Sequence, residues 1–421
     1  MELLNIIADT TTQDGQVQRA RQIDAVRAIL SHPRDAWTTD DRGGRVWTKP
    51  PKRTADNLRI ILTTDPAFRA RIRKNEFSGV IEWDGRLMED ADATEVRLLI
   101  DQLYSIEYSV TSTHEMMLYA ARQFSYHPVR DWLEGLRWDG VPRMERLLGH
   151  YAGCDDSPLH ATLSRRFMIS CVARIMQPGC KVDTVLILAG PQGYGKSTFF
   201  RALAGQDWFR DSALDLRNKD AYMALRGAWL YEMAELAAMR PRDAETVKAF
   251  LSAQVDHYRP PYGRNQVEQA RQVVFVGTTN EPSFLSDPTG ARRFWPATVR
   301  TMPKVAETEA DRTQLWAEAV NAYRSHERWW LEVNEADALT EAHEQYQHED
   351  PWAPKVERWL SEYTRTGFTV EEVLNEAIKK DDDKQTKGDE MRVGGILTAL
   401  GYVKVRASRN GVRAWRWSKQ S

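Results

Sequence analysis

Eight consecutive residues have the types and spacing of a phosphate-binding loop. The stretch begins at Gly190, ends in Gly195-Lys196-Ser197 and fits the pattern G-x-x-x-x-G-K-[ST]. Glycines allow successive backbone N–H groups to turn toward a phosphate, and the lysine adds a positive charge. The serine hydroxyl suits Mg²⁺. We therefore predict that ATP and Mg²⁺ bind here, with contacts from Gly190, Pro191, Gln192, Gly193, Tyr194, Gly195, Lys196, Ser197 and Thr198.

The elements on either side of this loop agree with the prediction. An apolar run at 185–189 precedes it and is typical of a buried strand, while residues 198–203 have helical spacing. A strand, a loop and a helix in this order are the context that the pattern requires. The alternative is a glycine-rich turn with an incidental lysine, and it does not explain why a strand precedes the turn and a helix follows it.

Hydrolysis of a nucleotide also needs carboxylates near the metal. Glu232 and Glu235 follow an apolar strand predicted at 228–231, and we assign Glu232 to the metal together with Ser197. Glu235 is either the general base or a group behind it, so the choice of base between the two stays open. The competing interpretation is a pair of surface carboxylates at the start of a helix.

Polar residues after a later apolar strand suit contacts with the terminal phosphate. Asn280 follows the strand predicted at 272–276, and its amide can orient the attacking water. Arg292 and Arg293 come shortly afterwards and are candidates for an arginine finger acting on a neighbouring subunit, with Arg293 the first choice. The alternatives are an asparagine-initiated turn and a structural arginine–carboxylate pair.

Composition restricts the class of protein. The chain has 58 Lys and Arg against 60 Asp and Glu, so any contact with nucleic acid must come from local clusters. Three cysteines without a C-x-x-C pair argue against a disulfide scaffold or a zinc ribbon. We find no secretory signal and no membrane-spanning run, and we therefore expect a cytoplasmic protein of a bacterial host cell.

The chain divides into three predicted domains. Residues 1–125 mix helix and strand patterns and form an α/β domain with a structural or oligomerising role, with direct DNA contact as the alternative. Residues 126–350 alternate helices with apolar strands, as parallel α/β sheets do. Residues 351–421 predict three helices and a terminal hairpin, which is typical of a winged helix.

The carboxyl-terminal domain is predicted to bind DNA. Residues 391–421 contain seven Lys or Arg and no Asp or Glu, which favours phosphate contacts, although a basic solvated edge is the alternative. The residues assigned to DNA are Lys404, Arg406, Arg409, Arg413 and Arg416.

Five segments together resemble the virulence-associated protein E family. They are GPQGYGKST, WLYEMAEL, FLSAQVDHYRPPYGR, VGTTNEP and GARRFWP, and the resemblance covers about residues 130–350. It implies a P-loop AAA+-like core of the superfamily-3 helicase kind, found in phages and mobile elements. It also implies ATP, Mg²⁺ and a homo-oligomer, most often a hexamer.

The resemblance also gives a meaning to residues 247–264. Superfamily-3 proteins place a hairpin there that points into the channel of the ring. The Pro-Pro-Tyr-Gly turn with flanking arginines combines cations for phosphate with an aromatic ring for a base or sugar. A folded loop with its aromatic ring packed inward is the alternative. The residues predicted to touch DNA are Lys248, Arg259, Tyr262 and Arg264.

These predictions point to an ATP-dependent, ring-forming helicase that acts on single-stranded or forked DNA in replication of a phage or mobile element. We expect a separate primase or replication initiator as a partner, because little chain precedes the predicted motor. The alternative from another class is an ATP-regulated DNA-binding switch, regulatory or defence-related, that does not separate strands. An ATPase that remodels protein or packages DNA is a weaker third possibility.

Overall fold

The computed structural model forms two compact units. It describes residues 13–41, 44–214, 221–234, 244–258, 267–281, 292–343, 346, 351–363, 367–409 and 412–419. The first unit holds the described residues up to Asn280 together with Arg292–Thr340, and the second holds Glu281 and the described residues from Glu341 onward. Within the first unit lie two separate hydrophobic cores. The division into three domains at 125 and 350 stays a prediction.

A five-stranded parallel sheet lies in the middle of the first unit. Its strands are buried along most of their length, which is typical of a sheet covered on both faces. In spatial order they are β12, β6, β11, β8 and β7, and every neighbouring pair is parallel. The strands comprise β6 (Val185–Ala189), β7 (Phe209–Arg210), β8 (Leu230–Ala234), β11 (Val274–Thr279) and β12 (Phe294–Thr298).

Helices cover this sheet and contribute most of the larger core. The apolar residues of helix α6 (Pro158–Met176) are buried over nearly its whole length, and α10 (Val305–Arg324) packs against both α6 and α7 (Lys196–Ala204). A separate antiparallel pair, β9 (Val255–Tyr258) and β10 (Val267–Ala270), precedes β11. The helices are α5 (Pro128–Gly135), α6 (Pro158–Met176), α7 (Lys196–Ala204), α8 (Ala221–Ala224), α9 (Ala244–Ser252), α10 (Val305–Arg324) and α11 (Val333–His343).

Tryptophans tie the helix after the glycine-rich loop to this core. The rings of Trp229 and Trp316 lie 4.2 Å apart, and both are fully buried. Trp316 Nε1 donates a hydrogen bond of 2.8 Å to the carbonyl of Leu203, in the last turn of α7. Because that carbonyl has no partner within its own helix, the indole fixes the carboxyl end of α7 to α10.

The amino-terminal core is α/β, as predicted from the sequence. At its centre Asp65 is fully buried, where Arg19 lies 2.6 Å away and the Tyr104 hydroxyl donates to it at the same distance. The ion pair and the hydrogen bond from the hydroxyl together offset the free-energy cost of burying these charges. The elements are α1 (Gln13–Ile29), α2 (Ala55–Thr64), α3 (Asp90–Tyr104), α4 (Val110–Gln123), β1 (Trp37–Thr39), β2 (Arg45–Trp47), β3 (Ile72–Lys74), β4 (Ile81–Trp83) and β5 (Arg86–Leu87).

The second unit contains three helices and a long hairpin, as the sequence predicts. Helices α12 (Ala353–Glu362), α13 (Val370–Glu376) and α14 (Lys387–Ala399) are followed by β13 (Tyr402–Arg409) and β14 (Val412–Lys419). Two hydrogen bonds join Phe368 to Trp417, which adds a short third strand position beside the hairpin. None of the helices in the described segments is long and apolar enough to cross a membrane.

Candidate functional site

The glycine-rich loop joins β6 to α7 at the carboxyl-terminal edge of the sheet. Gly193 and Gly195 both have φ of 81°, in the left-handed region that side chains disfavour. Gly195 is also the cap from which α7 begins, and the first N–H groups of a helix have no partner inside it. The loop therefore has a conformation and an electrostatic setting that suit an anion.

Lys196 lies across the mouth of this loop. Its Nζ donates hydrogen bonds of 2.8 Å to the Gly190 carbonyl, 2.9 Å to the Pro191 carbonyl and 2.9 Å to Asn280 Oδ1. Burial lowers the pKa of Lys196 from its ordinary value, and the negative charge of Glu232 opposes that effect. All three acceptors are neutral, so none of the described carboxylates is a hydrogen-bond partner of the ammonium.

Glu232 collects two hydroxyl groups behind the loop. Its Oε1 accepts a hydrogen bond of 2.7 Å from Ser197 Oγ and another from Thr278 Oγ1. Its Oε2 is buried and has no hydrogen-bond partner in the described structure. A buried carboxylate oxygen without a partner is costly, and a cation would satisfy it. The donor set of one carboxylate and one serine hydroxyl fits Mg²⁺, which takes oxygen ligands and shares them with phosphates.

The register of three strands explains why these side chains meet. The middle strand, β11, pairs with β6 on one side and with β8 on the other, so that Val276 lies beside Glu232 and Thr279 beside Ala189. The Gly190 N–H then donates to the Thr279 carbonyl at 3.1 Å, which attaches the start of the loop to β11. Parallel strands end at the same edge of a sheet, and ligands of such sheets bind outside that edge.

Four of the sequence-predicted groups therefore lie at this edge, and one falls outside the described residues. Ser197 bonds Glu232, whereas Lys196 bonds the exposed Asn280 and is linked to Glu232 by charge rather than by a hydrogen bond. Glu235 lies outside the described residues. Sequence reasoning missed Thr278, although a threonine at the polar end of an apolar strand was the available signal.

The arginine pair lies at the other edge of the sheet. Phe294 at the start of β12 pairs with Val185 at the start of β6, so Arg292 and Arg293 precede the strands, whereas the loop follows them. Five residues of strand separate the two edges by roughly 13 Å. Within one chain the structure does not bring either arginine to Lys196.

The two arginines have different surroundings. Arg293 is 17% exposed, with Nε 3.4 Å from Asp183 Oδ2 and Nη2 3.4 Å from Ser252 Oγ, whereas Arg292 is exposed. They border an open groove of about 550 Å³ with a strongly apolar wall. Its other lining residues include Lys181, Trp295, Trp329, Trp330, Leu331, Val333 and Leu339.

The predicted channel hairpin is partly described. Strands β9 and β10 pair antiparallel from Val255 with Ala270 to Tyr258 with Val267, so a hairpin is present. Its turn, including Arg259, Tyr262 and Arg264, lies outside the described residues. Lys248 is only 9% exposed on α9, and the DNA contact predicted for it stays a prediction.

The basic residues of the second unit are not equivalent. Lys404 and Arg406 are exposed on β13. Arg416 is 12% exposed and its Nη1 lies 3.7 Å from Glu372 Oε2, and the DNA contact predicted for it stays a prediction. The side chains of Arg409 and Arg413 are outside the described part of the hairpin.

Comparison with known proteins places the chain in a family. The model of the virulence-associated protein E-like domain matches residues 133–348, just over half of the chain. Similar solved structures include the apo NrS-1 C terminal region (305–718), with 12% identity, TM-score 0.45 and coverage of 82% of this chain and 95% of that one.

Two further structures of the same region complete the comparison. An A form apo structure has 14% identity and TM-score 0.40, and a second has 13% and 0.37; both matches cover 69% of this chain and 78% of the other. No curated protein matches the chain. The domain match confirms the resemblance seen in the sequence, and the chain belongs to the virulence-associated protein E-like family.

Proposed function

We propose that this chain is an ATP-dependent, ring-forming DNA helicase of the superfamily-3 kind, with a P-loop AAA+-like core, that serves replication of a phage or mobile element. The observation that carries the proposal is the cluster of Lys196, Ser197, Glu232 and Asn280 at one edge of the sheet. Each has the chemistry that ATP hydrolysis requires at that position.

The residues of the cluster divide the work of binding. The loop from Gly190 to Gly195 and the first turn of α7 offer N–H groups to the phosphates. Lys196 exchanges its neutral acceptors for the charged β and γ oxygens. Ser197 and Glu232 would hold Mg²⁺ that arrives with ATP, with the unpartnered Oε2 of Glu232 facing the ion or its water. The ion neutralises the charge that develops on the phosphates.

Hydrolysis then requires a positioned water and a further positive charge. Asn280 orients the water, and Glu232 polarises it either alone or with Glu235. The positive charge comes from Arg292 or Arg293 of a neighbouring subunit, because both lie at the far edge of their own sheet. A closed ring supplies each site with such a neighbour, and we propose a hexamer.

DNA contacts are assigned to two places. The turn of the β9–β10 hairpin provides Arg259, Tyr262 and Arg264 inside the ring. The second unit acts as a winged helix, since three helices, the short Phe368 strand position and a terminal hairpin follow that order. Single-stranded or forked DNA is the proposed substrate, with a separate primase or initiator as the partner.

The test is ATP turnover and unwinding of a labelled DNA fork by the full chain. Lys196→Ala should lose both activities, with turnover at least 100-fold lower, because the lysine charge stabilises the phosphate that is being transferred. The matched control is Lys52→Ala, which removes an exposed lysine distant in sequence from the loop and should change neither activity.

Two results would contradict the proposal in different ways. Turnover retained by Lys196→Ala at more than a few per cent would remove the phosphate-loop assignment. ATP-dependent binding of the fork without unwinding by the unchanged protein would favour the DNA-binding switch.

A further inference from the structure

Charge is distributed unevenly over the second unit. The hairpin of β13 and β14, from Tyr402 to Lys419, contains six Lys or Arg and no Asp or Glu. The segment 381–390, which leads into α14, contains five Asp or Glu and only two Lys. A phosphate backbone is therefore attracted to the hairpin and repelled from the start of α14.

Helix α14 is also the element that a winged helix ordinarily presents to the major groove. Here its amino-terminal turn is already occupied by its own carboxylate. Asp389 accepts from the Thr386 backbone N–H at 2.8 Å in a capping box, and Lys380 Nζ lies 2.5 Å from it. Hydrogen bonds from Lys380 and Thr386 lower the pKa of Asp389 to about 2, so the carboxylate is charged at neutral pH.

The hairpin, by contrast, exposes an aromatic ring among cations. Trp415 is 56% exposed, while Trp417, two residues later on the same face, is 8% exposed in the core of the unit. Trp415 pairs across the hairpin with Arg406, and Lys404 Nζ lies 5.8 Å from the centre of its ring. The inner half of this face builds the core, and the outer half presents an indole flanked by two positive charges.

We propose that this hairpin, rather than α14, is the nucleic-acid contact of the second unit, and that Trp415 stacks on an unpaired base of a single strand. Lys404 and Arg406 lie beside the ring, where they neutralise the adjacent phosphates. The inference rests on the proposed function, which supplies the nucleic acid as ligand. It adds that this ligand is single-stranded and that Trp415 is the residue that contacts its unpaired base.

The neighbours of Trp415 favour a nucleic acid over a protein. A protein-docking patch needs further apolar surface around its anchor. Val405 is 37% exposed, but it pairs with Arg416 and so lies on the opposite face of the hairpin. Among the described side chains of the hairpin, those beside the indole are positively charged, and a stacked base between phosphates satisfies both the ring and the charge.

The experiment measures the affinity of the full chain for a labelled oligothymidylate and for a blunt duplex at one salt concentration. Trp415→Ala should weaken binding of the single strand by on the order of 10-fold, whereas Trp415→Phe keeps a stacking ring and should retain most of it. Duplex affinity, set by charge, should change little. The matched control is Met391→Ala, which removes a 73% exposed apolar side chain from α14 and should leave both affinities unchanged.

Several outcomes would overturn the proposal. Unchanged single-strand affinity of Trp415→Ala would do so, as would equal losses for single strand and duplex, or a loss caused by Met391→Ala. If Trp415→Ala changed the oligomeric mass but not the DNA affinity, the indole would be a protein contact instead. Basal ATP turnover without DNA, measured in parallel, separates the two proposals: its absence in the unchanged protein defeats the helicase assignment and leaves the stacking result to be judged alone.

Discussion

The two edges of the five-stranded sheet are organised in opposite ways. At the carboxyl-terminal edge, Lys196, Ser197 and Glu232 are buried or partly buried, and each has hydrogen-bond partners within the same chain. At the amino-terminal edge, Arg292 is exposed beside an open groove with Trp330 on its wall. The polar side chains of the carboxyl-terminal edge thus have partners within the chain, whereas the amino-terminal edge presents charge and apolar surface to solvent.

Under the proposed function, the two edges have different tasks. A site that positions phosphates is effective only if its donors are held in place before the ligand binds. A residue that acts on a neighbouring subunit must instead be accessible in the single chain and find its partner on assembly. The contrast between Arg292 and Arg293 therefore bears on which of them is the finger, and it favours the exposed Arg292 over our first choice from sequence.

The largest expected effect concerns that choice. Arg292→Ala should reduce ATP turnover by about 1,000-fold with nucleotide binding intact, because an arginine finger stabilises charge that appears only in the transition state. Arg293→Ala should reduce turnover less, since its guanidinium lies beside Asp183 of its own chain. Steady-state turnover and binding of a fluorescent ATP analogue measure the two quantities, with the exposed Arg34→Ala as control.

Mixing subunits sharpens the same comparison. Arg292→Ala chains retain an intact loop, and Lys196→Ala chains retain an intact arginine, so a mixed ring contains some complete sites. Turnover above the sum of the two separate variants is the expected result. Absence of any such gain at several mixing ratios would mean that the amino-terminal edge does not serve a neighbour.

A smaller effect is expected behind the loop. Glu232→Gln keeps the shape of the side chain and its contact with Ser197 but removes the negative charge that a cation would share. Turnover should fall on the order of 100-fold, and the Mg²⁺ concentration for half-maximal turnover should rise. The exposed Glu309→Gln is the matched control. A variant with normal Mg²⁺ dependence would show that Glu232 has a structural role only.

The smallest effect concerns the amino-terminal edge of β11. His127 is 1% exposed; its Nδ1 accepts from the Arg130 N–H at 3.1 Å, and its Nε2 donates to Gln272 Oε1 at 2.6 Å. Burial lowers the pKa of this imidazole in the folded chain. The unfolded chain therefore binds more protons below about pH 6.5, and stability is present above that pH and lost as the pH falls.

His127→Asn removes this proton-linked contribution and keeps a residue that can cap α5. The variant should be less stable at pH 8 by about 1 kcal/mol, through the lost contact with Gln272. Between pH 7 and pH 5 its midpoint of thermal unfolding should fall less steeply than that of the unchanged protein. Parallel curves for the two proteins would contradict the neutral, buried state of His127.

Much of the carboxyl-terminal edge of the sheet could be predicted from local sequence. The loop pattern, the apolar strands and the order of Glu232 and Asn280 along the chain are enough to place four groups at the ends of neighbouring parallel strands. The strands predicted at 185–189 and 272–276 are found at 185–189 and 274–279, and the helix predicted over 198–203 begins at Lys196. Local signals suffice here because the fold of such a sheet fixes which ends meet.

Other features depended on packing that no local pattern contains. The roles of Thr278 and of the unpartnered Glu232 Oε2 follow from the register between β8 and β11. No local pattern shows that Lys248 is buried on α9. Strand β12 begins immediately after the arginine pair, and only its position next to β6 shows which edge those arginines occupy.

The hydrogen bond from the Trp316 indole to the Leu203 carbonyl holds the carboxyl end of helix α7 in the interior of the first unit. Under the proposed function, this attachment opposes sliding of the helix along its axis when a phosphate leaves. We therefore expect α7 to respond by tilting, with a displacement that is larger at Gly195 than at Leu203.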